Sequence, residues 1–595
     1  MGESFDNLKR THMCGAINEE LLGEKVTIMG WVQAKRDFKS QYFITIRDRE
    51  GIVQVVFEEA INKEAYDKAS QIKPEFCVAI EGTVVKRQSP NPQMPTGMVE
   101  ILGEYVKIFS QSETPPIYVR ENLDASEAIR LKYRYLDLRR PDMQRKLFIR
   151  NKTYKAVRDF FYDNGFIEIE TPMLTKSTPE GARDYLVASR NYPGEFYALP
   201  QSPQIFKQLL MVSGYDKYYQ IIKCFRDEDL RANRQPEFTQ IDVEMSFVDI
   251  DDVMSINEKL IQKIFKDVKD IDVNIPFRRM AYKEAYEKYG SDKPDLRFGM
   301  EIKNVSDVFL KSEFKVFSDC LSSDGRISAI VLENGSSLGR KQIDKLVELA
   351  KTFKARGLAW ISFGDELRSS FAKYITGEEI EELKNTTGAK KGDLVLIASD
   401  KKDIVQNSLG AIRLHLGREH NLYDKDEFNF VWITEFPLFE YSEEEDRYVA
   451  KHHPFTSPMD EDLDMLESDK KNVRAKAYDI VLNGEEIGGG SIRIYRRDVQ
   501  EMMFKALGFT MEEAWEKFGF LLEAFKYGPP PHGGIAYGFD RIVMFLAETE
   551  NIKDVIAFPK NQNAACPLSE APNFVSNKQL EELGISLIKE KNLTN

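Results

Sequence analysis

One short stretch of the chain concentrates arginine and carboxylate side chains in a pattern suited to a charged ligand. An apolar run, Tyr218 to Phe225, leads into Arg226-Asp227-Glu228-Asp229-Leu230-Arg231, and an alternating run covers 238–244. Two such runs around a polar loop predict an antiparallel hairpin. A guanidinium group is planar, permanently charged and bidentate, which suits it to phosphates and carboxylates. The alternative is a solvated hairpin with surface ion pairs.

Two carboxylates later in the chain form a second candidate for chemistry. Asp479 and Glu486 lie on consecutive β runs that a turn at Asn483-Gly484 joins. The two carboxylates could therefore converge on one divalent cation. The glycines at 488–490 would let the backbone approach a ligand closely, although a glycine run alone is a weak signal.

Length and charge limit what can surround these residues. A chain of 595 residues predicts three or four domains. The net charge of −14 argues against a nucleic-acid partner for the protein as a whole. The segment from Lys35 to Arg49 nevertheless carries five basic residues against two acidic ones, which predicts a local basic face.

Cysteine spacing and hydropathy indicate the compartment. The five cysteines lie far apart without a C-x-x-C pair, which argues against disulfides and a zinc site. No apolar run reaches the length of a membrane span, and the first residues lack a basic region followed by an apolar one. These features predict a soluble cytosolic protein.

The N-terminal region predicts a nucleic-acid-binding barrel. Three strands, a helix and two strands follow one another from Val26 onward, which is the order of a five-stranded OB-fold. Aromatic residues interleaved with cations can stack unpaired bases and contact phosphates. For Trp31 and Phe43, barrel packing remains an equal alternative, whereas a turn position predicts that Phe38 is exposed. The candidate nucleic-acid contacts are Trp31, Gln33, Arg36, Phe38 and Phe43.

Three segments occur in the order of the signature motifs of class II aminoacyl-tRNA synthetases. The helix, strand and proline of 154–172 resemble motif 1, although an ordinary helix-strand unit would look the same in isolation. The Phe-Arg-Asp-Glu loop and Pro-Glu-Phe-Thr-Gln strand of 225–240 resemble motif 2. The strand, Gly-Phe-Asp-Arg turn and apolar helix of 532–546 resemble motif 3.

The three motifs, the N-terminal OB-fold and the insertion together resemble the bacterial-type aspartyl-tRNA synthetases over almost the whole chain, most closely in four strings. They are 201–207, 226–231, 452–455 and 488–493. The resemblance implies a multidomain α+β protein with an OB barrel, an antiparallel catalytic sheet flanked by helices, and an α+β insertion. The expected divisions are the OB domain at 1–109, a hinge at 110–142, catalytic parts at 143–290 and 423–560, the insertion at 291–422 and an extension at 561–595.

The resemblance also implies the reaction and the partners. Such an enzyme activates L-aspartate with ATP and Mg²⁺, transfers it to the 3′ end of tRNA, and works as a homodimer through motif 1, without a membrane or DNA partner. Asparaginyl- and lysyl-tRNA synthetases share the architecture, and a non-acylating relative is a third alternative. Joint presence of Arg226, Glu486, Arg541 and the OB domain favours the acylating enzyme. Whether tRNA for asparagine is also charged remains open, and Gln33 lies where that choice would be made.

The roles of individual residues follow from the same resemblance. Arg226, Glu486 and Arg541 are the expected catalytic residues, and Asp479 and Glu486 would hold Mg²⁺. The expected ATP contacts are Arg226, Asp227, Glu228, Gln235, Phe238, Glu486, Gly538, Phe539, Asp540 and Arg541. The expected aspartate contacts are Glu180, Ser202, Gln204, Lys207, Arg226, Asp242, His452, His453 and Arg493. Of the two histidines His452 is favoured, and the loop at 174–184 is a predicted lid.

Overall fold

A computed structural model describes residues 2–178, 182–228, 230, 233–443 and 445–587. The chain forms two compact units. One unit comprises Met1–Asn151, Leu230–Gln235 and Val543–Val575, and the other comprises Lys152–Asp229, Pro236–Ile542 and Ser576–Asn595.

The strands in chain order are β1 (Lys25–Phe38), β2 (Gln41–Arg47), β3 (Ile52–Glu58), β4 (Cys77–Lys86), β5 (Val99–Ser110), β6 (Ile167–Glu168), β7 (Leu186–Ala188), β8 (Phe196–Ala198), β9 (Lys217–Phe225), β10 (Glu237–Ser246), β11 (Arg278–Ala281), β12 (Lys303–Asn304), β13 (Arg326–Leu332), β14 (Ala359–Phe363), β15 (Leu367–Ser369), β16 (Leu394–Asp400), β17 (Phe430–Thr434), β18 (Phe439–Ser442), β19 (Arg447–Ala450), β20 (Ala477–Leu482), β21 (Glu485–Ile492) and β22 (His532–Gly538).

The α-helices are α1 (Lys63–Ser70), α2 (Glu127–Lys132), α3 (Arg134–Asp137), α4 (Pro141–Asp163), α5 (Gln204–Val212), α6 (Ile250–Lys269), α7 (Tyr282–Tyr289), α8 (Lys315–Ser322), α9 (Arg340–Thr352), α10 (Gly377–Thr387), α11 (Lys402–Glu419), α12 (Arg497–Ala506), α13 (Met511–Ala524), α14 (Phe539–Leu546) and α15 (Asn577–Glu582).

The N-terminal strands close into a barrel in the order β1-β2-β3-β5-β4. The pairs are antiparallel except β3 with β5, which is the OB-fold arrangement that the strand order predicted. Alternate residues of each strand point inward and form one buried core that includes Val32, Ile44, Ile46 and Val55. Residues between them on β1 and β2 are left on the outer surface.

The predicted hinge contains two short helices with a buried charged network. Arg134 on α3 donates to Asp137 at 2.6 Å and to the backbone carbonyls of Lys553 and Ile556 at 2.6 and 2.9 Å. Arg140 also donates to Asp137, at 2.7 Å. We expected a segment outside any core here. The charges can be buried because each one is paired.

The second unit is built on an eight-stranded sheet in the order β11-β17-β20-β21-β22-β10-β9-β6. Its six central strands are antiparallel, and the two edge strands run parallel to their neighbours. The hairpin predicted around Arg226 is present as β9 and β10, with Asp242 opposite Gln220. Helix α6 follows β10 and starts with a capping box between Asp249 and Asp252.

A separate antiparallel sheet, β12-β13-β16-β14-β15, lies in the segment predicted to be an insertion. Alternate residues of β16 face opposite sides, so that Leu394 and Leu396 pack with α9 and α11 while Val395 and Ile397 pack with α8 and α10. The insertion thus has two apolar layers of its own.

None of the helices in the described part of the chain combines the length and the apolar character needed to span a lipid bilayer.

Candidate active site

The candidate site lies on one face of the eight-stranded sheet. Strand alternation places four residues of β10 on that face, each of them polar or a predicted ligand. They are Phe238, Gln240, Asp242 and Glu244. Opposite Glu244, Asp242 and Gln240, the neighbouring strand β22 carries the small residues Gly534, Ala536 and Gly538. A Cβ on Gly534 would collide with the Glu244 carboxylate. The small residues therefore leave a trough along the middle of the sheet.

A β-bulge in β21 aligns residues that regular alternation would separate. Val481 pairs with Glu486 and Ile480 pairs with Gly488, so Ile487 is the extra residue. Glu486 consequently lies on the same face of the sheet as Gly489, Ser491 and Arg493. Without the bulge it would lie on the opposite face, because an odd number of positions separates it from each of them. The bulge brings the predicted metal ligand and the predicted aspartate ligand to one side of the sheet.

Asp479 and Glu486 form a carboxylate pair on this face. Asp479 lies opposite Gly489, and a Cβ on Gly489 would collide with the Asp479 carboxylate and lie 3.5 Å from Glu486 Oε1. Burial and the Glu486 charge raise the pKa of Asp479 well above its ordinary value. Two neighbouring carboxylates supply oxygen ligands and negative charge, both of which suit Mg²⁺. Within the described residues, no group of three or more potential ligand side chains surrounds a metal position.

Four buried charges lie further along the trough. Lys207 Nζ is 2.7 Å from Asp242 Oδ1 and 3.3 Å from Glu244 Oε2. Arg493 donates to both oxygens of Glu244, at 3.0 and 3.2 Å, and to Ser491 Oγ at 2.6 Å. The cluster has no formal net charge when all four groups are ionised. In the described part of the chain, these bonds use three of the five N–H donors of Arg493, so two remain for a ligand.

The two acids of this cluster differ in their pKa. Burial raises the pKa of Asp242 to about 6, although Lys207 opposes the shift. Burial also acts to raise the pKa of Glu244, but Arg493 and Lys207 outweigh it and lower the pKa. Asp242 Oδ2 is buried and has no hydrogen-bond partner among the described residues. Asp242 thus has an oxygen ready to accept from a cationic ligand.

The two histidines occupy different surroundings. The His452 ring packs edge-on against Phe436 at 4.9 Å. His453 Nδ1 accepts from the Phe455 backbone, which places the proton of a neutral ring on Nε2. Burial, Arg493 and Lys207 lower the pKa of His453 to about 3. Its Nε2 is buried and unpaired within the described residues, so His453 has a donor available for a ligand, and the preference for His452 stays a prediction.

The start of α5 adds two polar groups. Ser202 Oγ accepts from the Gln204 backbone N–H at 2.9 Å. Gln204 is buried, and its Nε2 has no partner in the part of the chain that the structure describes. The predicted aspartate ligand Glu180 lies outside the described residues.

The predicted lid is attached to the site at its C-terminal end. Gln201 holds both the N–H and the C=O of Ala182, at 3.1 and 2.8 Å, and donates to Asp184 at 2.6 Å. Arg183 pairs with Asp227 in a short β-bridge. Beside these residues is a cavity of about 250 Å³, lined by groups that include Thr175, Asp184, Ser202, Phe206 and Phe520.

The two predicted catalytic arginines approach the trough from different segments. Arg226 follows β9, and its guanidinium lies 5.2 Å from the centre of the Phe238 ring. Arg541 on α14 donates to the backbone carbonyl of Glu486. Arg541 Nε is buried without a partner in the described residues. Arg541 thereby connects the helix of the third motif to β21, the strand that carries the predicted metal ligand Glu486.

Other predicted ATP contacts are engaged by the protein itself. Asp540 is buried and accepts from the Thr239 backbone at 2.7 Å. Phe539 stacks on Tyr154, with ring centres 4.3 Å apart. Gln235, in the first unit, makes two hydrogen bonds to the backbone of Lys560. Asp227 is tied to the lid, Glu228 is partly exposed, and Gly538 ends β22.

The barrel gathers the predicted nucleic-acid contacts on its outer face. A bulge at Gln33 places Trp31 on the same face as Arg36, Phe38 and Phe43. Among the described residues, neither Trp31 nor Phe43 belongs to the barrel core. Phe38 is 59% exposed.

Gln33 itself is already hydrogen-bonded. Its Oε1 accepts from Arg47, and its Nε2 donates to the Val119 carbonyl at 2.9 Å. Arg139 lies over the Trp31 ring at 4.9 Å and contacts Glu75, which also pairs with Arg47. A network of charged side chains, formed by Arg47, Glu75 and Arg139, therefore holds Gln33 and Trp31 in place on the outer face.

Sequence patterns missed three residues of the site. Glu244 holds both buried cations, and its position two residues after Asp242 was the available signal. Gln201 and Ser491 were also missed, because their partners are a loop backbone and Arg493, respectively.

Comparison with known families matches two regions of the chain. Residues 126–562 match the model of "tRNA synthetases class II (D, K and N)", and residues 26–109 match "OB-fold nucleic acid binding domain". The chain is 65% identical to aspartate–tRNA ligase of Clostridium novyi (strain NT) over 593 residues, which is 99% of this chain and 100% of that protein. It is also 65% identical to aspartate–tRNA ligase of Clostridium botulinum (strain Kyoto / Type A2) over 592 residues, again 99% and 100%.

Solved structures share the fold at low identity. Asparaginyl-tRNA synthetase from Pyrococcus horikoshii, complexed with asparaginyl-adenylate, has a TM-score of 0.59 and 19% identity, covering 93% of this chain and 98% of that one. Aspartyl-tRNA synthetase from Entamoeba histolytica has a TM-score of 0.57 and 19% identity, covering 93% and 92%.

Proposed function

Because the chain belongs to the class II tRNA synthetases for aspartate, lysine and asparagine, we propose that it is an aspartate–tRNA ligase. It activates L-aspartate with ATP, forming aspartyl-adenylate and pyrophosphate, and transfers the aspartyl group to the 3′ end of tRNA. The observation that carries the choice of aspartate is the buried pair Lys207 and Arg493 at one end of the trough.

The proposed aspartate site uses charges of both signs. The unpaired Asp242 Oδ2 accepts from the substrate ammonium, and Gln204 supports the same group. Lys207 and the two remaining N–H donors of Arg493 bind the side-chain carboxylate, and His453 Nε2 adds a neutral donor. Glu244 positions both cations through its hydrogen bonds rather than contacting the substrate.

The first chemical step joins two anions, so its main requirement is neutralisation and alignment of charge. Arg226 donates to the α-phosphate and the attacking carboxylate, while Phe238 stacks on the adenine with Arg541 on its other side. Arg541 also binds the γ-phosphate. The trough floor supports this placement, since Gly534, Ala536 and Gly538 leave only backbone and one methyl group beneath the nucleotide.

Asp479 and Glu486 are the proposed Mg²⁺ ligands, since their paired carboxylates lie on the trough face with Gly489 leaving room for them. Bound Mg²⁺ supplies charge neutralisation at the phosphates. The protein's own contribution is to hold both carboxylates in place before ATP arrives.

We also propose that the barrel binds the anticodon through Trp31, Arg36, Phe38 and Phe43. Their common outer face and the exposure of Phe38 support this role. Arg36 would follow the phosphates while the rings stack on bases. Gln33 also belongs to the proposed anticodon site. Because its side chain is already hydrogen-bonded to Arg47 and Val119, its role in the protein without tRNA is to position these neighbours.

The protein is further proposed to be a cytoplasmic homodimer, with the motif 1 helix α4 at the two-fold interface. Tyr162, 81% exposed near the end of α4, supports that surface. The domain limits are also part of the proposal. The OB-fold match ends at residue 109, where the first domain was predicted to end, while the other limits rest on the resemblance.

The proposal is tested by pyrophosphate exchange and by tRNA charging. Exchange should depend on aspartate, with asparagine and lysine at least about 10⁴-fold poorer in kcat/KM, because a buried cationic pocket leaves an amide or ammonium unpaired. Equal activation of asparagine or lysine would assign the chain to one of the sister enzymes. Charging purified tRNA for aspartate and for asparagine with radiolabelled aspartate then decides whether one or both are substrates.

A further inference from the structure

The turn that joins the two proposed metal-binding strands is held from outside the eight-stranded sheet. Asn483 and Gly484 both have positive φ, 52° and 85°, as a two-residue type I′ hairpin requires. Asp479 lies four residues before this turn, and Glu486 lies two residues after it. Any displacement of the turn therefore moves the strands that present both carboxylates.

The chain returning from the insertion binds one side of this turn. Asn483 Oδ1 accepts from the Asn429 backbone N–H at 2.9 Å, and Asn483 Nδ2 donates to the Glu427 carbonyl at 2.8 Å. The backbone N–H of Asn483 also donates to the Asn429 carbonyl, at 3.2 Å. The side chain of Asn483 thus does more than favour the turn, because it attaches the turn to 427–429.

The chain leading into the insertion contacts the other side. A Cβ on Gly484 would lie 3.1 Å from Asp295 Cβ, so the two segments are in direct contact. Lys293 Nζ is 3.6 Å from Glu485 Oε2. The turn is therefore enclosed between the outgoing and the returning connections of the insertion.

Residues of the insertion hold these two connections in place. Arg413 on α11 is buried and donates to the backbone carbonyls of Asp295, Phe298 and Gly299, at 2.8, 2.7 and 2.8 Å. Arg297 pairs with the Asp295 carboxylate at 2.7 Å and lies 3.8 Å from the centre of the Tyr423 ring. The outgoing and returning connections are thereby fastened to α11 and to each other.

We infer that the insertion positions the metal-binding hairpin, and that Asn483 is the residue through which it acts. Asn483 is a positioning residue, since its bonds are to protein backbone alone among the described residues. This inference rests on the proposed function, because it assigns the hairpin to Mg²⁺ binding. It gives the insertion a part in nucleotide activation through the position of this hairpin.

The direct test measures Mn²⁺ binding by electron paramagnetic resonance with ATP present, alongside aspartate-dependent pyrophosphate exchange. Asn483→Gly keeps the turn conformation but removes both side-chain bonds, and should weaken Mn²⁺ binding about 10-fold, as loss of groups that orient metal ligands does. Asn483→Asp keeps the acceptor and should show a smaller loss. The KM for aspartate should change by less than about twofold, because Lys207 and Asp242 lie on α5 and β10, and Arg493 follows the end of β21 that is remote from the turn.

Two further variants separate the insertion from the turn. Tyr423→Leu removes the ring beneath Arg297 and should weaken Mn²⁺ binding about threefold. Asn421→Gly is the matched control, since Asn421 is exposed, has φ of 48° and lies near the same junction. It should leave Mn²⁺ binding unchanged.

The outcomes distinguish this inference from the proposed function. Mn²⁺ affinity within twofold of wild type in folded Asn483→Gly and Asn483→Asp variants overturns the inference alone. If Mn²⁺ affinity falls in the Asn483 variants but not in Tyr423→Leu, the positioning role belongs to the turn alone. That result overturns the part assigned to the insertion. A wild-type protein without metal-dependent aspartate activation overturns the proposed function itself.

Discussion

Lys207 Nζ lies 2.7 Å from Asp242 Oδ1, with 2% of the lysine side chain and none of the aspartate side chain exposed. Such a buried pair is costly to break, because removal of one charge leaves the other uncompensated. The pair therefore links the stability of the sheet to the proposed recognition of the substrate.

Lys207→Met should abolish aspartate activation. The variant loses a cation for the substrate carboxylate and leaves Asp242 and Glu244 to repel it, so aspartate-dependent exchange should fall at least about 10³-fold. The KM for ATP should change little. Thermal unfolding should show a loss of roughly 3–5 kcal/mol. Lys341→Met, at an exposed site on α9, is the control. Retained aspartate activation in Lys207→Met would remove Lys207 from the site.

Arg493→Lys tests geometry rather than charge. Lysine keeps the positive charge but cannot bind Glu244 through two parallel N–H groups as Arg493 does. Aspartate kcat/KM should fall about 10²-fold, less than after removal of a charge, and asparagine should remain a poor substrate. Wild-type kinetics in this variant would show that the bidentate contact has no role in recognition.

Aspartate use should depend on pH through Asp242. Burial raises its pKa to about 6, so the carboxyl becomes neutral as the pH falls through that value and can no longer pair with the substrate ammonium. The kcat/KM for aspartate should therefore decrease below about pH 6. Asp242→Asn should be much less active at neutral pH and lack this acidic limb. If the decrease in kcat/KM at acidic pH persists in Asp242→Asn, the titration of another group causes it.

Gly489→Ala should impair the metal site. The new methyl group would collide with the Asp479 carboxylate and crowd Glu486, so exchange activity should fall about 10²-fold or more and require higher Mg²⁺. Titration of activity with Mg²⁺ at saturating substrates measures the change. Gly377→Ala is the matched control, because a Cβ there meets open space in α10. Equal Mg²⁺ requirements in both variants would argue against a metal site at Asp479.

Phe38→Ala should weaken tRNA charging and spare adenylate formation. Loss of one base stack costs about 1–3 kcal/mol, or roughly 5- to 150-fold in kcat/KM for tRNA. Tyr105→Ala is the control, since Tyr105 is an exposed barrel aromatic with Lys68 near its ring, as Phe38 is with Lys39. Equal losses in charging and exchange would indicate a structural role for Phe38.

The order of the elements could be predicted because alternation and turn residues are local properties of a sequence. The five barrel strands, the β9–β10 hairpin and the β20–β21 hairpin all lie where alternating runs and an Asn-Gly turn placed them. Helix α9 spans Arg340–Thr352, where the apolar residues Ile343, Leu346 and Ala350 recur at helical spacing.

Long-range partners could not be predicted in this way. Arg493 meets Glu244 across 249 positions of the sequence, and Gln235 meets Lys560 across 325. Composition cannot show which of two adjacent histidines faces the cations, because that depends on how 452–456 packs against the sheet. The buried charges around Asp137 were likewise missed, since each looks solvated until its partners are known.

The bulges at Gln33 and Ile487 show that the number of residues in a strand matters as much as their identity. Each bulge adds one position, and each thereby reverses the facing of everything beyond it on that strand. Deletion of Ile487 would leave every predicted ligand present in the sequence, and deletion of Gln33 would remove Gln33 alone. The deletion at Gln33 would nevertheless turn Trp31 away from Phe38, and the deletion at Ile487 would turn Glu486 away from Arg493. In these two strands, the number of residues helps to position the predicted ligands, and a one-residue change in length would displace more of them than a substitution would.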